Sequence, residues 1–223
     1  MRTLSLMSGL LLSSVGFLNA EVVAPGSMGN WSFSFLDNGF NVCGSCQNGS
    51  MVYGPATPPL GVGSANIGTT PGNGAGAATI GTTDLNGIAL SALTALTYST
   101  YDTLNNGSQF PFLRLHISYT GTANGGGAGS DSLFFEPPYQ TPATGNPSLP
   151  TQGNEVMNLW QNWNALAGGW WDNNNVAHAG QRFGGPGGTY DGVAPLSTFL
   201  SFYTSATITG SSFFNNDGLV YGW

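Results

Sequence analysis

Apolar and polar residues alternate with a period of two along much of this chain, the signature of half-buried β-strands. Trp31-Ser32-Phe33-Ser34-Phe35 alternates in this way, and Ser50 to Tyr53 is a second short run ended by Gly54-Pro55. The clearest strand is Phe112 to Tyr119, with Leu113, Leu115, Ile117 and Tyr119 on one face and Arg114, His116 and Ser118 on the other. Pro58 to Gly81, rich in Gly, Ala, Thr and Pro, reads as one or two strands joined by a long loop around Gly72 to Ala77. Leu93 to Tyr101 reads as a strand with Leu96 and Tyr98 on one face. A Gly-rich turn from Gly121 to Gly129 leads to Ser132 to Glu136, which predicts an antiparallel hairpin stopped by Pro137 and Pro138.

Further along, Glu155 to Trp160 predicts a strand that continues through Trp163 to Leu166. Gly168 to Asp172 and the three asparagines after it predict a turn. Leu196, Phe199, Leu200 and Tyr203 recur at helical spacing just after Pro195, predicting one helix of about two turns. Ala206 to Thr209 and Leu219 to Trp223 read as strands, the last one cut short where the chain stops. Many short strands between Gly/Pro turns predict an all-β fold, a jelly-roll-like antiparallel β-sandwich with one short helix.

The N-terminus changes the picture. Arg2, an apolar stretch from Leu4 to Phe17, and Leu18-Asn19-Ala20 match a secretory signal peptide over residues 1–20. The apolar run falls short of the about 20 residues that a bilayer span needs. Residues 21–223 then form a single domain, the size of one β-sandwich. The 223-residue chain has 3 Lys+Arg against 10 Asp+Glu. After cleavage Arg114 and Arg182 are the only basic side chains, too few to neutralise many phosphates or to hold an anionic membrane. Nucleic acid and membrane insertion are therefore excluded as expectations. Solubility must come from Asn, Ser, Thr, Gly and Gln, a hydrogen-bonding surface suited to uncharged partners such as glycans. Cys43 and Cys46, in Cys-Gly-Ser-Cys, suggest a small disulfide pinning a turn in an oxidising compartment, since two further zinc ligands at suitable spacing are not seen.

Four segments resemble a module of exported bacterial proteins, often surface-sorted ones of the PEP-CTERM type. They run from Gly54 to Ser64, Leu90 to Tyr101, Leu133 to Gln140 and Trp160 to Trp171, in that order. The resemblance implies a jelly-roll-like β-sandwich outside the cell. It brings no catalytic residue set, as such modules have no established activity, and the sorting tail is not present in this sequence.

The most suggestive chemistry is aromatic. Trp160, Trp163, Trp170 and Trp171 fall within twelve residues, and flat rings can stack on sugar faces while amides bond the hydroxyls. Gln161, Asn162, Asp172, Asn173, Asn174 and Asn175 are at hand as such partners, and Tyr139 is a second platform. The same tryptophans also suit a sandwich core, and if Trp170 and Trp171 share a strand, at most one of them is exposed. Glu136 and Glu155 are the candidate catalytic pair for a glycoside hydrolase or polysaccharide lyase, with Asp131 or Asp172 in support.

Other chemistries have less to stand on. Serine hydrolysis lacks its Gly-x-Ser-x-Gly elbow, and His116 and His178 are the only histidines. Asp172-Asn173-Asn174-Asn175 begins like a calcium loop, but Val176 stands where an oxygen ligand belongs. The sequence thus implies no cofactor, while a calcium ion held by backbone carbonyls stays compatible with the fold. Three readings stay open: a noncatalytic module that binds polysaccharide or another neutral extracellular surface, a carboxylate-pair enzyme, and a structural surface protein.

Overall fold

The computed structural model describes residues 26–36, 49–59, 63–68, 77–103, 110–122, 127–142, 146–172, 183, 192–215 and 219–222. The signal peptide, the Cys43–Cys46 pair, Asn174 and His178 lie outside the described residues.

The alternating runs form strands: β1 (Trp31–Leu36), β2 (Gly49–Tyr53), β3 (Gly63–Gly68), β4 (Ala77–Thr82), β5 (Thr97–Asp102) and β6 (Phe112–Tyr119). They are followed by β7 (Gly121–Thr122), β8 (Gly129–Phe135), β9 (Trp160–Asn164), β10 (Gly169–Asp172) and β11 (Ala194–Pro195). The helix α1 (Leu196–Phe202) precedes β12 (Tyr203–Thr204), β13 (Thr207–Asn215) and β14 (Leu219–Gly222). The two larger sheets have the orders β1-β4-β13-β6-β8-β10-β11 and β2-β3-β14-β5-β9, and β12 and β7 form a separate two-stranded sheet. Every pairing between these strands is antiparallel.

The two larger sheets pack face to face as an antiparallel β-sandwich with one short helix. Tyr98 of β5 meets Phe135 of β8 at 5.9 Å and Phe213 of β13 at 4.9 Å between ring centroids, so the layers share one core. Alternation in β6 sends Leu113, Leu115 and Ile117 inward, where all three are buried. The helix follows Pro195 and buries Leu196, Phe199 and Phe202, one face of its two turns.

Several expectations are corrected. Strand β5 starts at Thr97 rather than Leu93, because Leu90–Ala92 closes a 3₁₀ turn instead. β13 runs on to Asn215, well past the predicted end at Thr209. Residues 155–159 do not join a strand. The Gln161 side chain holds the segment at its start, accepting from Val156 N at 2.6 Å and donating to the carbonyl of the preceding Asn154 at 2.8 Å. The predicted turn at Gly169–Asp172 is strand β10, with Trp171 paired to Phe134 and Trp170 to Ala194. Ala77 likewise belongs to a strand, β4, and not to the loop assigned to it.

Candidate functional site

Strand parity divides the tryptophan cluster. Trp163 lies opposite Tyr98 on the core side of the five-stranded sheet, is 0% exposed, and donates through Nε1 to Thr100 Oγ1 at 2.7 Å. Trp170 is also 0% exposed and donates to Ala165 O at 2.8 Å. Both are core residues with satisfied indoles, which corrects their expected role as ligand platforms. Asp172 is corrected in the same way. It is fully buried, and its Oδ2 lies 3.0 Å from the Tyr203 hydroxyl, which donates to Asp131 Oδ2 at 2.5 Å.

The opposite parity leaves Trp160 and Tyr101 on the outer face of the five-stranded sheet, directly opposed across β5 and β9. Their rings lie 5.5 Å apart and tilted by 57°. The Trp160 indole is anchored by donation to Pro55 O at 2.9 Å. One step along the same face, Ser99 donates to Asn162 Oδ1 at 2.5 Å. Across β14 the backbone register brings Asn66 of β3 and Ser50 of β2 into line with Tyr101. Two part-exposed aromatic rings beside amides and hydroxyls can make a platform for a polyhydroxylated ligand. Sequence reasoning found Trp160 and Asn162 but missed Tyr101, whose signal was its alternation with Tyr98 and Thr100.

A second cluster forms around Tyr139, in a single 3₁₀ turn that Pro137 starts at the end of β8. Glu136 follows that strand directly, as the residue before the turn, and Trp171 lies opposite Phe134 on the neighbouring β10, stacked on its ring at 4.2 Å and 17°. Burial raises the Glu136 carboxyl to about 7, although Trp171 and Tyr139 act to lower it. Tyr139 is pushed up to about 12, first by burial, then by Glu136 and next by Glu155. Both candidate carboxylates therefore lie within electrostatic reach of one phenol. The Glu155 carboxyl is raised as well, chiefly by burial, with Asp102 adding to the shift. Trp171 Nε1 lies close enough to favour the Glu136 anion yet meets no acceptor in hydrogen-bond geometry. Glu155 Oε1 is also buried without a hydrogen bond.

Gln140 builds the support beneath this cluster. Its buried amide donates to Glu136 O at 2.8 Å and to Gly169 O at 3.0 Å, and accepts from Gly169 N at 2.8 Å. The side chain thus serves as a strand partner for Gly169 and ties the Glu136 backbone to β10. The close approach requires glycine: a Cβ at Gly168 would lie 2.3 Å from Phe135 Cε2, and one at Gly169 would lie 2.4 Å from Val193 Cγ2.

Among the described residues, no group of three or more His, Cys, Asp or Glu side chains is placed to hold a metal ion. Among them, too, no helix is long and apolar enough to cross a membrane. His116 is paired, its Nδ1 lying 2.9 Å from Ser132 Oγ.

No family model matches the chain, and no curated protein matches it. Among solved structures, it is similar to a carbohydrate-binding module of the β-sandwich superfamily described for its promiscuous specificity. That likeness has 10% identity and a TM-score of 0.30, over 88% of this chain and 56% of the other. The chain thus spans little more than half the length of that structure, and so distant a likeness carries no argument about function.

Proposed function

We propose that this protein is an exported carbohydrate-binding β-sandwich that holds a neutral polysaccharide on the outer face of its five-stranded sheet. The observation that carries the reading is the outward pair of Tyr101 and Trp160, 5.5 Å apart, beside Asn162 and Ser99. Ring faces of this kind cover the apolar CH faces of a sugar, while the amides bond its hydroxyls. The near absence of basic side chains fits an uncharged ligand, and the N-terminal signal-peptide pattern fits a ligand outside the cell.

Replacing Trp160 by alanine is expected to weaken binding to the preferred neutral polysaccharide about tenfold or more, while the fold persists. Affinity electrophoresis in gels containing soluble polysaccharides, with and without calcium, measures this directly. Binding unchanged in Trp160→Ala would remove the platform from the site.

A second reading is favoured by the Tyr139 cluster. A carboxyl held near neutrality, with a second carboxyl acting on the same phenol, suits an acid-base pair for glycoside hydrolysis. In that reading Glu136 gives its proton to the leaving oxygen and Glu155 takes one from the attacking water. Reducing ends would then appear on incubation with a polysaccharide and vanish in both Glu136→Gln and Glu155→Gln. A polysaccharide panel that releases none ends this reading and leaves binding in place.

A further inference from the structure

Of the four exposed large hydrophobic residues among those described, three immediately precede Trp160 in the chain. Val156, Met157 and Leu159 are 46%, 51% and 54% exposed in the loop that leads into it. The fourth, Tyr53, is 73% exposed and stands two residues before Pro55, whose carbonyl holds the Trp160 indole. Single exposed apolar residues need no explanation, but a group at one place marks a contact surface.

The loop is also held in shape. Gln161 grips it at Val156 N and Asn154 O, and Asn158 N donates to Asp102 O at 2.7 Å. Asn158 adopts a left-handed φ of 59°, which turns the chain between Met157 and Leu159. Apolar side chains presented from a backbone fixed in advance lose less entropy on binding than those of a floppy loop.

We infer that this apolar rim seats the protein on the surface of an insoluble, neutral polysaccharide, extending the Tyr101–Trp160 platform beyond a single dissolved chain. The inference rests on the carbohydrate-binding reading and names the class of ligand for it. One sugar chain lying on the two platform rings leaves the rim in water, whereas a packed array of chains offers strips of CH faces that cover both. The rim adjoins the platform directly, through Leu159 next to Trp160 and through the Pro55 carbonyl. From Gln152 to Trp171 the chain carries one charged side chain, Glu155, which is partly buried, so this stretch offers little to an ionic partner. Lysine is absent throughout, which sets an anionic surface aside.

The test compares three proteins: wild type, Trp160→Ala, and a rim variant combining Val156→Ser, Met157→Gln and Leu159→Gln. Each is partitioned onto insoluble cellulose, chitin and β-1,3-glucan, and titrated by calorimetry with the matching hexasaccharides. The rim variant is expected to lose tenfold or more in partition onto the solid while keeping hexasaccharide affinity within twofold. Trp160→Ala is expected to lose both. A rim variant that partitions like wild type overturns the inference while the loss in Trp160→Ala still supports the platform. Wild-type binding to neither solid nor hexasaccharide overturns the carbohydrate reading itself. Wild type that sediments as a dimer which the rim variant breaks, or that binds phosphatidylcholine vesicles through the rim, assigns the surface to another occupant and also overturns the inference. Half-exposed positions leave the fold intact, which matching thermal melts verify.

Discussion

Replacing Trp170 by alanine is expected to remove about 3–5 kcal/mol of stability, enough to unfold much of a marginally stable domain. The ring is 0% exposed and packs at 5.7 Å from Phe135, so truncation leaves a large cavity between β8 and β10. It also takes the indole donor from Ala165 O, which keeps only the longer bond from Gly168 N at 3.3 Å. Trp171→Ala, one residue on, is expected to lose only about 1–2 kcal/mol, because its ring is part-exposed and stacks against Phe134 on the paired strand. Urea unfolding of the two variants measures the contrast. Equal losses would mean that strand parity does not separate the neighbours. A loss of ligand binding in Trp170→Ala therefore reports unfolding and not a missing contact.

Glu136→Gln is expected to flatten the dependence of stability on pH above pH 5. The folded carboxyl titrates at about 7 against an ordinary value of 4.5, so the folded state holds the proton more tightly than the unfolded chain. Its stabilising contribution is complete below the unfolded value and is lost as pH rises through 7. The full swing is on the order of 3 kcal/mol, an upper bound because the group keeps some exposure. Glutamine carries no charge to bury, so the variant gains on wild type at pH 8 and loses that advantage at pH 5. Glu155 shifts in the same direction and preserves a residual slope. Denaturation midpoints at the two pH values measure the effect. A wild-type slope that survives in Glu136→Gln would place the responsible group elsewhere.

Much of the architecture was legible in the chain. Period-two alternation located β1 and β6 almost to the residue, the short run before Gly54-Pro55 located β2, and the spacing of Leu196, Phe199, Leu200 and Tyr203 located the helix, although Tyr203 itself falls in β12. These signals are local: a strand or helix with one buried face writes its own period into its side chains. The same alternation foretold that Trp170 and Trp171, if in a strand, would face opposite ways. Composition likewise made the surface neutral and polar before any fold was known.

The candidate site was legible only in part. Trp160, Trp163, Trp170 and Trp171 are one residue type in one short stretch, and nothing local says which of them the second sheet covers. The pairing of β9 with β5 decided that Trp163 meets Thr100 in the core while Trp160 meets Tyr101 outside. Residues 155–159 carry strand-like side chains, yet Gln161 grips the segment at its start and holds it as a loop with the apolar residues outward. Gly169 reads as a turn residue, yet Gln140, β8 and β11 make its segment a strand. Glu136 and Glu155 were named for their type, and only the path of the chain between them brought both to Tyr139. The sequence by itself determined the periods, the helix face and the scarcity of charge, because each follows from composition or from neighbours along the chain. Tertiary structure decided which rings are buried, which backbone groups find partners and which carboxyl stays protonated, because each depends on groups brought together from distant parts of the chain.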